Sequence, residues 1–424
     1  MTYSELRDGL FARGRFGIRP GLETIRLILQ RLHHPERQFP IVHVAGTNGK
    51  GSTSAFLASI LQEGGYRTAL FTSPHLISYT ERFRINGREI SEEELLPLAE
   101  RVLEAAPVKA TFFELTTALA FLYFARERVD LAILEVGLGG RLDATNVVPG
   151  LLSVITPVSL DHCRYLGESV AEIAAEKGGI ITDSAPVVCS GQEVEALGVI
   201  AARAASFGAP LFLCGREFRG EWRPDGLAYH GLNCSLTGLI PGIPGDYQRD
   251  NAACALAAAE LLSQQRFPLA PAALVSGIGN ASWPGRMELF PGPPRLLLDG
   301  AHNPAGVAAL LTSLAVIPRA RLFLVVGLMA DKDRDGVLGP LLPLAHEVLT
   351  VGIDLPQATS AAALALYCSG RGARASAAGT VGEGLTLASS RAATDDLILV
   401  TGSLYLVGEA RGLLTNQPSH PFQG

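Results

Sequence analysis

The feature of this 424-residue chain that most constrains its fold is the segment 43–53, HVAGTNGKGST. A β-branched apolar run leads into a glycine-rich loop, and a helical pattern follows the loop. The three glycines have no Cβ, so successive backbone N–H groups can turn toward one anion, and the helix N-terminus adds partial positive charge. The segment predicts a strand, a phosphate-binding loop and a helix beginning near Ser52. It is a variant of the GxxxxGK(S/T) pattern, because Val44 takes the first glycine position and Gly51 follows Lys50.

Short apolar runs alternate with helical patterns along most of the chain, which is typical of parallel sheets with crossover helices. Strands are predicted first at 40–45, 67–72, 130–136, 151–156 and 186–190, and later at 295–299, 321–327, 347–352 and 396–401. Between these groups, a small antiparallel excursion is predicted at 216–239 and an alanine-rich helix at 246–263. The predicted fold is α/β, with a P-loop parallel-sheet ATPase domain followed by a smaller Rossmann-like α/β domain.

The segment 281–295 marks the predicted boundary between these domains. It contains Trp283-Pro284-Gly285 and the run PGPP at 291–294, and these prolines and glycines interrupt continuous helix or strand. We therefore predict an ATP-binding domain at 1–282 and a C-terminal domain at 283–424. The linker from 283 to 295 is expected to act as a hinge.

Composition excludes several classes of function. The chain has 35 Lys plus Arg against 41 Asp plus Glu, with a formal net charge of −6, and has no basic block, so no nucleic-acid partner is expected. Six cysteines without a CxxC pair predict reduced, mostly buried thiols. No apolar run approaches the ~20 residues of a membrane span, and the first residues lack the apolar stretch of an export signal. A soluble, cytoplasmic monomer is expected, with no membrane partner.

Several polar residues end predicted strands or helices where a phosphate site would need them. Glu135 ends DLAILEV, Ser73 follows the strand at 67–72, and Asp161-His162 follows the strand at 151–156. Lys177 ends the helical segment SVAEIAAEK. Carboxyl ends of parallel strands share one edge, and carboxylate, hydroxyl and imidazole together suit a hard or borderline cation beside phosphates. Each residue also has a purely structural interpretation, as a loop acid, a turn cap, a loop hydrogen-bonder or a complement to a helix dipole.

Two strand ends in the second domain are predicted to lead directly into helices. RLLLD precedes GAHNP at 300–304, where Asn303 suits the N-cap and Pro304 the first helical position, and LILVT precedes Gly402-Ser403. Such helix starts present unpaired N–H groups to an anion such as an amino-acid carboxylate. The alternative is that these residues only cap their helices. The charge run at 331–333, DKD, either contributes at the same edge or is solvated.

Seven motifs carry a family resemblance: HVAGTNGKGST, FTSPHL with ERFRING, EVGLGGRLDATN, LDHCRYLGESVAEIAAEKGGI, WPGRME, LDGAHNPAG and TGSLYLVGE. In this order they resemble folylpolyglutamate synthases and bifunctional dihydrofolate synthases, members of the Mur ligase superfamily. The resemblance spans about 2–408. It implies an ATP- and Mg²⁺-dependent ligase that activates dihydropteroate or a reduced folate as an acyl phosphate and joins it to L-glutamate. Residues after Pro74 and near Phe112-Phe113 are candidates for the pterin pocket.

The resemblance also implies roles for individual residues. The phosphates of ATP would contact Gly46, Thr47, Asn48, Gly49, Lys50, Gly51 and Ser52. Adenine and ribose would contact Asn251, Arg286 and Asp299. One Mg²⁺ would be held by Ser73 and Glu135, and a second by Glu135, His162 and Lys177, the last as a carbamylated lysine. The predicted catalytic residues are Lys50, His162 and Lys177, and the predicted glutamate contacts are His302 and Ser403.

One departure from the family pattern is Gly178, where alanine is usual. The glycine should loosen the helix end that carries Lys177 by about 0.5–1 kcal/mol. Two alternative functions stay open. A peptidoglycan-precursor Mur ligase usually carries an extra N-terminal domain, whereas here the phosphate loop begins about forty residues in. A P-loop kinase would need neither a second α/β domain nor Lys177 beside a metal.

Overall fold

The computed structural model of the chain describes residues 2–13 and 21–417. Its strands are β1 (Ile41–Ala45), β2 (Thr68–Phe71), β3 (Phe83–Ile85), β4 (Arg88–Glu89), β5 (Leu131–Glu135), β6 (Leu152–Ile155), β7 (Val187–Cys189), β8 (Leu211–Leu213), β9 (Arg219–Arg223), β10 (Gly226–His230), β11 (Ser235–Leu239), β12 (Glu288–Phe290), β13 (Arg295–Leu298), β14 (Leu322–Val326), β15 (Glu347–Thr350), β16 (Ala375–Ala377) and β17 (Leu397–Thr401).

The α-helices of the same residues connect these strands. They are α1 (Tyr3–Ala12), α2 (Glu23–Arg31), α3 (Lys50–Glu63), α4 (Glu92–Ala105), α5 (Phe112–Arg126), α6 (Cys163–Leu166), α7 (Val170–Gly178), α8 (Val194–Ser206), α9 (Gln248–Gln265), α10 (Pro271–Asn280), α11 (Pro304–Ala315), α12 (Arg334–Leu338), α13 (Ala361–Ser369), α14 (Val381–Arg391) and α15 (Leu404–Thr415). None of these helices combines the length and apolar composition that crossing a membrane would need.

The first sheet has eight strands in the order β4-β3-β2-β5-β1-β6-β7-β8. All neighbours run parallel except β2 with β3 and β3 with β4. In register, Val44 of β1 lies opposite Glu135 of β5 and Val154 of β6, so the carboxyl ends of these three strands meet at one edge. The five predicted strands of this part are confirmed. The strands β3, β4 and β8 are additional, and each has only two or three residues.

A three-stranded antiparallel sheet, β11-β10-β9, confirms the excursion predicted at 216–239. It packs against α9, whose Glu260 is buried and accepts hydrogen bonds from the Tyr229 hydroxyl at 2.7 Å and from the backbone N–H groups of 232–234 at 2.8–2.9 Å. One carboxylate therefore joins the turn of this sheet to the helix. The residues 252–259 of α9 are fully buried, and their small side chains lie in the same core as α3.

The second sheet has six strands in the order β12-β13-β17-β14-β15-β16, all parallel except β12. Its four predicted strands are confirmed, and the α/β prediction holds for both sheets. The predicted linker 281–295 also contains a short strand, which the sequence did not indicate. Glu288–Phe290 pairs antiparallel with β13, because the glycine and proline turns at 283–285 and 291–294 flank these three residues instead of interrupting them.

All six cysteines are free thiols. Cys189, Cys254 and Cys368 are buried, Cys163 is exposed, and the other two are partly exposed. The expectation of mostly buried thiols therefore holds fully for three of the six.

Candidate active site

The phosphate loop lies between the end of β1 and the start of α3. The helix begins at Lys50, two residues earlier than predicted, and Gly49 is its N-cap with a φ of +85°. A Cβ at Gly49 would lie 2.4 Å from Oδ1 of Asn251, so only glycine suits this position. The Lys50 Nζ donates to the carbonyl oxygens of Gly46 and Thr47, both at 3.1 Å, and thus folds back over the loop.

The loop forms one wall of a cleft of about 640 Å³ that residues around both sheets line. Every residue that was assigned a role in the sequence lies on this cleft: Gly46, Thr47, Asn48, Gly49, Lys50, Gly51, Ser52, Ser73, Glu135, His162, Lys177, Asn251, Arg286, Asp299, His302 and Ser403. Phe112 and Phe113, near which the pterin pocket was expected, line it as well, and so does Pro74, which precedes the other candidate segment. The fold thus brings together residues that lie up to 357 positions apart in the chain.

Glu135 and Lys177 are buried charged groups that line the cleft with the loop, each about 5% exposed. The Glu135 carboxylate accepts a hydrogen bond from the backbone N–H of Ser73 at 3.3 Å, and burial raises its pKa while the charge of Lys50 opposes that rise. The Lys177 Nζ donates to the carbonyl oxygen of Gly46 at 2.8 Å. Burial and the charge of Lys50 lower the pKa of Lys177 to about 7. Its amine is therefore partly neutral near pH 7.

The loop after β5 fixes the end of α7, which carries Lys177. The backbone N–H of Arg141 donates to the carbonyl oxygen of Glu176 at 2.8 Å, and a Cβ at Gly140 would lie 2.8 Å from the carbonyl oxygens of Glu176 and Lys177. The side chain of Asn146 donates to the carbonyl oxygen of Gly179 at 3.1 Å. The sequence GLGGR therefore allows close contact between this loop and the helix end.

The side chains predicted to bind metal ions supply too few ligand atoms to hold an ion by themselves. Among residues 2–13 and 21–417, no three His, Cys, Asp or Glu side chains are close enough to hold a metal ion. Glu135 offers a carboxylate and Ser73 a hydroxyl, which suit Mg²⁺, whereas an unmodified lysine does not. The His162 side chain is 42% exposed and its backbone has a left-handed φ of +52°. A hard cation fits here when phosphate oxygens, water or a modified Lys177 complete its ligands.

Asp161 joins the two sides of the cleft. Its carboxylate lies 2.5 Å from Nζ of Lys332, accepts a hydrogen bond from Nδ2 of Asn303 at 3.0 Å, and lies 3.5 Å from Nε2 of His302. Burial alone would raise the pKa of Asp161, but the hydrogen bond with His302 and the charges of His162, His302 and Lys332 lower it well below its usual range. The sequence indicated Asp161 beside His162 at a strand end, but not its contacts with His302, Asn303 and Lys332. The charge run at 331–333 had two interpretations, and the one in which its charges are solvated is wrong for Lys332, whose side chain is only 10% exposed.

A pair of amides makes a second contact across the cleft. Asn48 of the phosphate loop and Asn303 exchange two hydrogen bonds between their side chains, each 3.1 Å long. Asn303 also caps α11 as predicted, by accepting from the backbone N–H of Gly306 at 2.8 Å. Ser403 caps α15 in the same way through Tyr405. His302 does not cap a helix, and its Nδ1 lies 2.8 Å from the carbonyl oxygen of Gly300.

Residues of α9 and of the start of the second sheet also line the cleft. Asn251 donates to Gln248 at 2.8 Å, and Gln248 donates in turn to the Ser52 hydroxyl at 3.3 Å. Asp299 is buried and accepts from the Tyr247 hydroxyl at 2.9 Å and from two backbone N–H groups at 3.0 Å. Burial raises the pKa of Asp299, and the charge of Arg286 opposes the shift. Tyr247 and Gln248 carry no recognisable sequence signal.

Sequence comparison defines the class of protein. Residues 44–189 match the Mur ligase middle domain, and residues 285–404 match the Mur ligase glutamate ligase domain. The first match contains the phosphate loop, Glu135, His162 and Lys177, and the second contains Arg286, Asp299, His302 and Ser403. The protein is thus an ATP-dependent ligase with the domains of Mur ligases, as predicted.

Full-length relatives define the family. The chain is 36% identical to dihydrofolate synthase/folylpolyglutamate synthase of Bacillus subtilis, over 97% of this chain and 98% of the relative. It is 32% identical to Mycobacterium tuberculosis folylpolyglutamate synthase complexed with ADP, with a TM-score of 0.92 over 98% of this chain and 99% of that one. It is 31% identical to E. coli FolC in complex with DHPP and ADP, with a TM-score of 0.90 over 98% of this chain and 99% of that one. The chain belongs to the folylpolyglutamate synthase/dihydrofolate synthase family, which confirms the resemblance.

Proposed function

We propose that this protein joins L-glutamate to reduced folates at the expense of ATP, and that it also accepts dihydropteroate. The observation that carries the proposal is a cleft between the two sheets that is lined both by the phosphate loop and by residues at two helix starts. A phosphate loop suits ATP, and a helix start suits the carboxylate of an incoming amino acid. Relatives named for both synthase activities, such as the one from Bacillus subtilis, support the choice of substrates.

The chemistry follows from the poor reactivity of a carboxylate. An oxygen of the substrate carboxylate attacks the γ-phosphorus of ATP, the bond to the β–γ bridging oxygen breaks, and ADP leaves. The amino group of glutamate then attacks the acyl phosphate, and the tetrahedral intermediate loses phosphate and a proton to give the amide. Lys50 neutralises charge on the transferred phosphoryl oxygens, and the cleft aligns the reactants, which can contribute ~7–11 kcal/mol.

We assign the metal sites to the residues beside the phosphate loop. Ser73 and Glu135 would hold one Mg²⁺, and Glu135, His162 and carbamylated Lys177 a second. When bound, these ions neutralise phosphate charge. Carbamylation adds CO₂ to the neutral amine with loss of a proton, and it converts a group that repels Mg²⁺ into an anionic ligand. The burial of Lys177 and its single carbonyl partner support this modification.

We further propose that the domains 1–282 and 283–424 close over the substrates around the hinge at 283–295. An acyl phosphate must be shielded from water, and closure supplies that shield. The contacts of Asp161 and Asn48 with the second domain suit a closed arrangement. Arg286 and Asp299 lie on the cleft with the phosphate loop, as nucleotide binding across the hinge requires.

A phosphate-release assay tests the proposed function. Purified protein with ATP, Mg²⁺ and L-glutamate should release phosphate only when a reduced folate or dihydropteroate is added, and chelation of the metal should stop the reaction. Two control reactions are run in parallel: one omits glutamate, and the other replaces the pterin substrate with a nucleotide-sugar peptide. Release that responds only to the peptide would favour the peptidoglycan-precursor ligase, and phosphate transfer without glutamate would favour the kinase.

A further inference from the structure

Arg82 is a buried arginine that has no carboxylate partner among residues 2–13 and 21–417. Its side chain is 2% exposed and lines the cleft together with Ser73, Glu135 and Phe112. Within the described residues, the guanidinium makes one hydrogen bond, from Nε to Nδ1 of His75 at 2.9 Å. A ring nitrogen that accepts a hydrogen bond is unprotonated, so His75 gives the arginine no compensating charge.

The acidic side chains nearest in the fold are already used by other groups. Glu81 accepts three hydrogen bonds, at 2.8–2.9 Å, from the backbone N–H groups of 76–78, and Glu135 accepts one from Ser73. In the described ranges, neither carboxylate lies within 4.0 Å of the Arg82 guanidinium, the limit for an ion pair. Burial of a cation without an anion is costly unless a ligand compensates it.

The surroundings of Arg82 hold it in place and make it suitable for an anion beside an aromatic ring. It ends the short 3-10 helix Tyr79–Arg82, whose start is fixed by a capping box between Ser78 and Glu81. The guanidinium carbon lies 5.2 Å from the centre of the Phe112 ring, which also lines the cleft. Stacking on a ring leaves the edge of the guanidinium, with its paired N–H donors, free to bind a carboxylate.

We propose that Arg82 binds the carboxylate that is to be activated, and that Phe112 contacts the aromatic part of the same substrate. This inference rests on the proposed function, because it requires an aromatic acid in the cleft. The ligand class is an aryl carboxylate or its glutamyl extension, and Arg82 acts as a specificity-determining contact. Since the carboxylate oxygen is the nucleophile toward the γ-phosphorus, the same contact orients the attacking group.

The test compares binding of an acid and its amide at equilibrium, in the presence of Mg²⁺ and ADP. The probes are pteroate, which has one carboxylate, and pteroamide, in which that group is a neutral amide. We expect the wild type to bind pteroate at least about 30-fold more tightly than pteroamide, as for a buried charge pair. In Arg82→Gln the two affinities should lie within about 3-fold of each other, with pteroamide binding unchanged. A merely structural role would weaken both ligands equally and would overturn the inference.

Two further variants keep the test decisive. Arg82→Lys retains the charge and should keep part of the preference for the acid, even if Arg82→Gln folds poorly. Arg84→Gln is the matched control, because Arg84 lies two residues further along β3 and pairs with Glu89 instead. It should keep the full preference. If the wild type binds neither probe and no folate, the proposed function itself fails, whereas an unchanged preference in both Arg82 variants overturns only the role of Arg82.

Discussion

Lys177 is a lysine in surroundings that do not suit a charged ammonium group. It is buried, its Nζ contacts one carbonyl oxygen, and no carboxylate of the described residues lies within 4.0 Å of it. A second cation, Lys50, lies close enough to lower its pKa. These surroundings favour a neutral amine or its carbamate over an ammonium ion.

The first prediction concerns this side chain. We expect Lys177→Ala to lower kcat by at least about 100-fold, because a metal ligand would be lost. After incubation with ¹³C-bicarbonate, wild-type protein should give a carbamate carbon resonance that Lys177→Ala lacks. Lys109→Ala changes an exposed lysine and should leave the signal and the rate unchanged. Full wild-type activity without a carbamate resonance would contradict the assignment.

The residues of the site differed in how far the sequence alone could identify them. Glu135 and Ser73 follow predicted strands, so their position at the sheet edge followed from the topology of parallel strands. Lys177 ends a helix, and its place beside the phosphate loop was indicated by the family resemblance. Asn251 lies in a helix and Arg286 in the predicted linker, where no local pattern marks them, and Asp299 ends a predicted strand; the contacts of all three with adenine and ribose came only from the family resemblance. Arg82 could not be distinguished from the other charged residues of ERFRING, because the sequence does not show which of them is buried.

At the scale of elements, the end of α7 decides where Lys177 points. The helix has nine residues and ends at Gly178, and Gly179 follows as its C-cap. These adjacent glycines differ in their surroundings. A Cβ at Gly178 would have its nearest neighbours, Ile200 and Arg203, at 4.0 Å, whereas a Cβ at Gly179 would lie 2.3 Å from Cβ of Arg141.

We therefore expect opposite effects from the same substitution at the two positions. Gly178→Ala should raise the free energy of unfolding by about 0.5–1 kcal/mol, because alanine favours the helix and meets no obstacle. Gly179→Ala should lower it by about 1–3 kcal/mol, because the loop that contacts the helix end would have to move. Urea denaturation measures both values. A loss of similar size in both variants would contradict the described packing.

Elements were predictable according to their length. The buried strands of four or five residues and the long helices carry enough apolar periodicity to be recognised, and the three-residue β7 was recognised within the segment 186–190. Strands β3, β4 and β12 have two or three residues, which is too short for a period, and their pairing is decided by neighbours distant in the chain. For β12 the flanking prolines also resemble a linker, although they only mark the ends of an edge strand.

At the scale of the whole molecule, Asp161 connects the two halves through Lys332, Asn303 and His302. Its partner Lys332 lies 171 residues away in sequence, and Asn303 lies 142 residues away. No local pattern can predict such pairs, since each charge alone resembles a solvated surface group. The sequence predicted two domains around one cleft but not the residues that hold them together.

We expect Asp161→Asn to weaken this contact, because breaking a buried ion pair costs about 3–5 kcal/mol. In small-angle X-ray scattering with nucleotide bound, the variant should have a larger radius of gyration than the wild type, and its KM for glutamate should rise. Asp331→Asn is the control, because Asp331 forms no ion pair within the described part of the chain. Unchanged scattering and KM in Asp161→Asn would show that other contacts maintain closure.

The paired amides of Asn48 and Asn303 connect the phosphate loop with the start of α11. One amide belongs to the loop that would surround the nucleotide, and the other caps the helix that would receive the amino acid. A ligand that strengthens or breaks this bridge changes the free energy of binding at the other site. Thermodynamic linkage makes the effect reciprocal, so nucleotide and glutamate should alter each other's dissociation constants by the same factor.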